Sequence, residues 1–363
     1  MVIKTLELSF FRNYESFSKQ FSPGINFIYG RNGQGKTNLI ESLYVLTHLK
    51  SFRTSRLTEL EMFTKDASSI RANLTKQGVS HLVEIDLKKN QKKVRLDAKK
   101  IGYTSDYIKN FFSILFSPDQ LVFFKEYPLE RRNFIDRVLV LVDSNYFQLV
   151  KDFNRIKKQK SSLLRQGNAR DVAVWNQMLS GLIPKIGETR DKFVKDINEI
   201  LTGIFSHLTG RENTLELHYQ GDLDKRTDRE ESSIFNFLQE KLDSEIEKGH
   251  LCYGPHKDQF WLTLDGRRDK QSFSQGEYRI TFLALQFSIN QLINKTLGFN
   301  PVILLDDIFS ELDTGVYNKT IEYIEKRENQ VFITSTEIPS LLMEKGSSYK
   351  ISKGRVETSS MES

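Results

Sequence analysis

The sequence predicts an α/β fold interrupted in its middle by a helical segment, and three observations carry that expectation. Near the N-terminus the apolar run Ile25-Asn26-Phe27-Ile28-Tyr29 ends in glycine, and Leu39, Ile40, Leu43, Tyr44 and Leu46 follow at helical spacing. That is a buried strand turning into an amphipathic helix. Near the C-terminus Pro301-Val302-Ile303-Leu304-Leu305 and Val331-Phe332-Ile333-Thr334 read as two further buried strands, with a crossover helix over 317–324. Between these ends the apolar residues keep helical spacing over long stretches.

Taken in order, residues 2–10 place Ile3, Leu6, Leu8 and Phe10 on a half-buried strand, and 25–29 form the buried one. Residues 68–74, 81–87 and 94–96 read as antiparallel strands, the last two joined by the basic hairpin Lys88-Lys89-Asn90-Gln91-Lys92-Lys93. Tyr146, Leu149, Val150, Phe153, Ile156, Leu163 and Leu164 stripe one helix, and a polar break follows at 167–171. A second stripe runs from Trp175 through Ile186 and Ile197 to Leu208, with a kink expected at Pro184. Two such helices form an antiparallel hairpin, and at ~20 residues each they reach only ~30 Å, a stubby arm. Residues 260–264 read as a strand and 277–292 as a helix carrying Phe282, Leu285, Phe287, Ile289 and Leu292. The last ten residues are expected to fray.

Composition narrows the class. At ~150 residues per domain, 363 residues suggest a two-part protein. The single Cys252 excludes an intrachain disulfide framework, and no Cys/His cluster suggests zinc. The N-terminus has no apolar run suited to a signal peptide, and the apolar stretch 138–142 stops at Asp143, far short of a ~20-residue membrane span. The expectation is a soluble, cytoplasmic protein with no membrane partner. Fifty-three basic against 47 acidic residues give a net charge of +6, which permits an anionic partner without demanding one.

The strongest motif is Gly30-Arg31-Asn32-Gly33-Gln34-Gly35-Lys36-Thr37, a full G-x-x-x-x-G-K-[ST] between strand and helix. Its glycines let backbone N–H groups face phosphates, and the helix N-terminus adds partial positive charge. Lys36 can reach the β- and γ-phosphates of ATP, and Thr37 can offer a hydroxyl to Mg²⁺. The strand 301–305 ends in Asp306-Asp307. Beside the phosphate-loop strand, Asp306 can hold Mg²⁺ and Asp307 can orient or deprotonate the attacking water. One aspartate could be a helix N-cap, but that explains neither the pair nor the apolar run before it. Phe273-Ser274-Gln275-Gly276-Glu277 opens a helix, and alone it reads as a capping box from Ser274 to Glu277.

The order of these motifs, with a helical insertion between them and Ser310-Glu311-Leu312-Asp313 after them, resembles ABC-type ATPase heads of the SMC-like branch. More closely the chain resembles the RecF family of bacterial recombinational-repair ATPases, over essentially its whole length. The likeness lies in Phe11-Arg12-Asn13-Tyr14, the phosphate loop, Lys50-Ser51-Phe52-Arg53 and Phe116-Ser117-Pro118-Asp119. It continues in Pro128-Leu129-Glu130-Arg131-Arg132-Asn133-Phe134-Ile135-Asp136, Gly254-Pro255-His256-Lys257-Asp258, Ser274-Gln275-Gly276 and the Asp306-Asp307 strand. The resemblance implies an ABC-type P-loop ATPase head, 1–125 and 249–363, split by a helical arm over 126–248. It implies a nucleotide site of Gly30, Arg31, Asn32, Gly33, Gln34, Gly35, Lys36, Thr37 and Asn38 with Arg12 and Asn13, and Mg²⁺ on Thr37 and Asp306. It implies that Ser274 and Gly276 of one subunit complete the site of another, so that ATP drives a homodimer and hydrolysis is slow. RecF-like proteins bind double-stranded DNA and ssDNA–dsDNA junctions, and act with RecR and RecO to help load RecA.

The chain departs from the family pattern in places. Ser274-Gln275-Gly276-Glu277-Tyr278-Arg279 stands where the family has Ser-Gln-Gly-Gln-Gln-Arg, and Pro118-Asp119-Gln120-Leu121 where it has Pro-Glu-Asp-Leu. Either Asp119 or Gln120 can serve as Q-loop residue. Thr334-Ser335-Thr336 stands where an ABC head has its switch histidine. Candidate phosphate contacts fall in two groups, Lys88, Lys89, Lys92, Lys93, Lys99 and Lys100, and Lys151, Arg155, Lys157, Lys158 and Lys160, each of which also reads as a solvated face. Competing readings are another SMC-like repair head, a P-loop small-molecule kinase, and a scaffold in which nucleotide is structural. The kinase would not need the serine–glycine helix start.

Overall fold

The computed structural model describes residues 1–63, 65–102, 104–167, 172–308, 312–337 and 345–357. The chain opens with β1 (Val2–Phe11), β2 (Tyr14–Gln20), β3 (Ile25–Tyr29), α1 (Lys36–His48), β4 (Ala67–Lys76), β5 (Val79–Lys88), β6 (Gln91–Leu96), β7 (Lys99–Lys100), α2 (Thr104–Asn110), β8 (Ser113–Phe116) and α3 (Pro118–Glu126). Its middle holds α4 (Pro128–Val142), α5 (Tyr146–Arg165), α6 (Val172–Thr209), β9 (Leu215–Gln220), α7 (Glu231–Glu240), α8 (Leu242–Lys248), β10 (Gln259–Leu264), β11 (Arg267–Arg268) and α9 (Asp269–Ser272). It closes with α10 (Gln275–Leu297), β12 (Val302–Leu305), α11 (Thr314–Glu325), β13 (Val331–Ser335), β14 (Ser347–Ser352) and β15 (Arg355–Glu357). Two compact units emerge: Met1–Val122 with His207–Gly210 and Phe282–Ser363, and Phe123–Ser206 with Arg211–Thr281. Residues 249–281, grouped in sequence with the C-terminal part of the head, fall in the second unit.

The first unit contains two six-stranded sheets. One, ordered β2-β1-β4-β5-β6-β7, pairs antiparallel throughout. Its strands alternate as half-buried strands should: Val83, Ile85 and Leu87 of β5 are buried while Glu84 and Asp86 face out. The other is ordered β15-β14-β3-β13-β12-β8, with parallel pairing from β14 through β8. All four residues of β12 and of β8 are buried, the unbroken apolar pattern of strands covered on both faces. One expectation needs correcting here. The acidic strand β12 is not beside the phosphate-loop strand β3; β13 lies between them, pairing Val331 with both Ile303 and Ile25. Apolar pattern identifies a buried strand but carries no information on its neighbours.

The second unit holds the helices around a small antiparallel sheet, β11-β10-β9. The expected helix pair is present as α5 and α6, but α6 runs 38 residues and continues through Pro184, so it is nearly twice the expected length. The strand expected over 260–264 is β10, in this unit's own sheet. Its polar core centres on Arg190, which donates to Asp136, to Asp258, to Tyr146 and to the Pro255 carbonyl. A buried guanidinium is tolerable because carboxylates on both sides and several oxygens satisfy it. No described helix is long and apolar enough to cross a membrane.

Candidate nucleotide-binding site

The phosphate loop links β3 to α1, and its conformation explains its glycines. Gly30, Gly33 and Gly35 have φ of 146°, 76° and 113°. A Cβ on Gly30 would sit 2.3 Å from the Ile351 carbonyl oxygen, and one on Gly35 2.6 Å from Asn13 Nδ2. Close approach and left-handed backbone together require glycine at both positions. Lys36, the first residue of α1, folds back so that Nζ donates to the carbonyls of Gly30 at 2.6 Å and Arg31 at 3.1 Å. Burial holds its ammonium below the usual lysine range, opposed by the negative charges of Asp307 and Asp306. The outer loop residues Arg31, Asn32 and Gly33 are exposed.

Asp306 and Asp307 follow β12 directly. Asp306 is 3% exposed, and burial raises its carboxyl above the ordinary aspartate value. Two hydroxyls donate to its Oδ1: Thr37 from α1 at 3.1 Å and Thr334 from β13 at 2.7 Å. Thr334 also accepts from the Asp307 backbone N–H at 2.8 Å. Because β13 separates β12 from β3, a β13 side chain can lie between the acids and the loop. Of the three hydroxyl candidates, Thr334 alone contacts these acids; Ser335 donates to the Glu337 carbonyl and Thr336 is exposed. Asp307 is exposed and has φ 51°, a backbone turn that ends the strand. A hydroxyl and a carboxylate oxygen meeting at the start of α1 are hard oxygen donors of the kind Mg²⁺ takes.

Arg12 and Asn13 sit around this loop. Asn13 Nδ2 donates to the Gln34 carbonyl at 3.1 Å, while its Oδ1 accepts from Asn38 Nδ2 at 2.8 Å. Arg12 makes a two-pronged pair with Glu41, a fully buried acid of α1, at 2.8 Å on both oxygens. Ser51 also donates to Glu41, and Arg53 donates to Asn38 Oδ1 at 2.9 Å. Glu41 was hidden in sequence because it interrupts an apolar stripe with no motif around it. The hairpin of β14 and β15 was missed as well. Its turn donates from Lys353 N to Gln34 Oε1 at 2.8 Å and from Gly354 N to the Gln34 carbonyl at 3.0 Å. The expected frayed tail is therefore ordered through 357, with 358–363 outside the described residues. The alternation of Tyr349, Ile351 and Val356 around Gly354 was the available signal. On α3, after the opposite edge strand β8, Gln120 Oε1 accepts from Gln286 Nε2 at 3.1 Å, whereas Asp119 is exposed. Ser310 and Glu311 lie outside the described residues, and Asp313 caps α11 by accepting from Val316 N at 2.9 Å.

In the second unit Ser274, Gln275 and Gly276 are exposed at the start of α10. The capping box is formed in full: Ser274 N donates to Glu277 Oε2 at 2.8 Å, and Glu277 N to Ser274 Oγ at 3.2 Å. Arg267 pairs with the other Glu277 oxygen at 2.9 Å. The Ser274 N–H and then the Arg267 guanidinium hold this carboxyl below the ordinary glutamate value. One basic candidate is corrected by the structure and a second is partly engaged. Lys160 is fully buried against Glu245 at 2.6 Å, so it cannot meet a phosphate, and Lys92 is half-buried with its Nζ directed to the Leu49 carbonyl at the end of α1. Among the described residues no cluster of His, Cys, Asp or Glu could hold a metal by itself.

The family model of the RecF/RecN/SMC N-terminal domain matches residues 2–359. The DNA replication and repair protein RecF of Citrifermentans bemidjiense is 30% identical over 98% of this chain and 100% of its own length. The chain belongs to the RecF family. RecF of Lachnoclostridium phytofermentans, also a DNA replication and repair protein, is 31% identical over 98% of this chain and 99% of its own. A solved structure of the recombination mediator protein RecF with ATP, of the RecFOR pathway, superposes with a TM-score of 0.87 at 27% identity, covering 98% of both chains. An Smc head bound to the C-terminal winged-helix domain of ScpA shares the fold, with a TM-score of 0.60 at 16% identity over 98% of this chain and 96% of that one. The architecture is thus the ABC-type head with a helical insertion that RecF and SMC proteins share.

Proposed function

We propose that this chain is an ATP-dependent DNA-binding protein of recombinational and replication-gap repair, cytoplasmic, with slow ATP hydrolysis. The observation that carries the nucleotide part is the meeting of Thr37 and Thr334 on one oxygen of buried Asp306, beside the Lys36 ammonium at the loop mouth. Those residues fit a Mg²⁺-bound triphosphate: loop N–H groups and Lys36 for the phosphates, Thr37 and Asp306 for the metal. Bound Mg²⁺ would neutralise charge developing on the phosphate oxygens. Asp307, exposed just beyond, is placed to accept a proton from water or to orient it, and Thr334 fixes its backbone. Asn13 and Gln34 position the loop.

The exposed Ser274 and Gly276 support a second element of the reading. In this reading they complete the nucleotide site of a second copy, giving two composite sites about a two-fold axis. The functional division is then the head, 1–125 and 249–363, and the arm, 126–248. ATP promotes a homodimer on double-stranded DNA and ssDNA–dsDNA junctions, and the dimer works with RecR and RecO to help load RecA. Family membership and the ATP-containing relative support this reading. A P-loop small-molecule kinase has no use for the serine–glycine helix start. The test is phosphate release by wild type and Asp307→Asn with matched nucleotide binding. Asp307→Asn should bind ATP as wild type does and release phosphate at least ~100-fold more slowly. Wild-type turnover in that variant would remove Asp307 from the chemistry.

A further inference from the structure

The serine–glycine helix start carries a negative charge that its capping does not require. Glutamate and glutamine both complete a capping box, because either offers an oxygen to the N-cap N–H. This chain has Glu277 where the family pattern has Gln. Both oxygens of Glu277 are engaged: Oε2 accepts from the Ser274 N–H at 2.8 Å, and Oε1 from Arg267 Nη2 at 2.9 Å. These contacts, the N–H first, hold the carboxyl below its ordinary range and so keep it ionised. A fixed anion therefore sits in the first turn of α10, beside the exposed Ser274 and Gly276. It offsets the partial positive charge with which a helix N-terminus attracts phosphate.

Arg267 is placed to meet that anion. It pairs with Leu264 across the two-residue turn Asp265-Gly266, whose φ values of 51° and 76° are both positive, as a tight hairpin turn requires. The turn is tied down within the same unit: Asp265 accepts from the Thr214 N–H at 2.9 Å and from Asn213 Nδ2 at 2.6 Å. From β11 the guanidinium reaches Glu277 and, through Nη1, the Ser272 carbonyl at 3.3 Å. Three neighbouring cations lie on other groups. Arg131 pairs with Asp269 at 3.1 Å, Lys125 lies over the Tyr278 ring at 5.3 Å, and Arg268 over the Trp261 ring at 4.5 Å. Arg267 and Glu277 both keep solvent-facing surface, so an approaching anion meets the pair and not a bare carboxylate. We propose that Arg267 is a positioning residue for the composite site: it cancels the charge of Glu277, so that the phosphates of a nucleotide held by a second copy can approach Ser274 and Gly276. This inference rests on the composite-site reading above and names the residue that lets an acidic helix start work there.

The experiment is sedimentation velocity with ATP and Mg²⁺ on wild type, Arg267→Gln, Arg267→Lys, Glu277→Gln and Arg267→Gln/Glu277→Gln, each checked for monomer ATP binding with a fluorescent nucleotide. An unpaired Glu277 facing phosphate should weaken dimerisation of Arg267→Gln by at least about tenfold, with ATP binding unchanged. Removing the carboxylate as well should restore the dimer to within about threefold of wild type, and Arg267→Lys, which keeps the charge, should stay as close. The Arg267→Gln defect should also shrink between about 50 and about 200 mM chloride, because salt screens exposed charges. A double variant as weak as Arg267→Gln overturns charge cancellation, since deleting Glu277 cannot replace an arginine that is merely structural or that touches phosphate itself. Normal dimerisation of Arg267→Gln overturns the inference and leaves the composite-site reading standing. Wild type that gains no mass with ATP overturns both.

Discussion

Thr334 joins Asp306 to Asp307 with one hydroxyl, donating to the side chain of the first and accepting from the backbone of the second. Thr334→Val keeps the shape and removes both bonds, leaving a buried carboxylate oxygen and an N–H less well satisfied. The expected cost is about 1–3 kcal/mol in urea unfolding, with slower phosphate release at unchanged ATP affinity. A variant as stable and as active as wild type would reduce Thr334 to filler. Gly354 is a second residue whose environment decides its identity: its φ is 71°, and a Cβ would sit 2.4 Å from the Asn13 carbonyl oxygen. Gly354→Ala should displace the turn that holds Gln34, weakening ATP binding several-fold in a nucleotide titration while the antiparallel sheet stays folded. At this scale the loop and the paired aspartates were legible because motif spacing encodes their chemistry. Thr334 was legible only as one of three hydroxyls, and Gln34's anchor was not, because both depend on which strands lie side by side.

The start of α10 shows how one element can satisfy a local rule and remain open to a functional one. Ser274 and Glu277 exchange both capping bonds, so the helix start is stable without any partner. Glu277's carboxyl is held below the ordinary value of 4.5 by the Ser274 N–H and Arg267. A depressed carboxyl contributes stability above the unfolded value and loses it as pH falls through the folded one. Urea midpoints measured from pH 6 down to pH 3 should therefore fall, and Glu277→Gln should flatten part of that slope. An identical slope in the variant would show that the ion pair and cap add nothing. Strand β3 and helix α1 were readable from apolar period alone. β2 was not, because its buried positions reduce to Tyr14 and Phe17, and α6 was underestimated because the helix continues through Pro184.

For the whole molecule, the sequence pattern showed that the chain returns to α/β structure after a helical segment, and the two units bear out that alternation. Strand order in the parallel sheet was beyond it, since β13 enters between β3 and β12 by pairing alone. The composite-site reading makes a demand on more than one copy. Ser274→Arg places a bulky cation where a second copy must approach, so it should leave monomer ATP binding intact and abolish association. Normal association in that variant would return the motif to its capping role. The central claim, that ATP joins two copies through these exposed helix starts, is tested most directly by the mass of the protein in solution with ATP, with ADP and without nucleotide. The account predicts a dimer with ATP only. A monomer under all three conditions would contradict it.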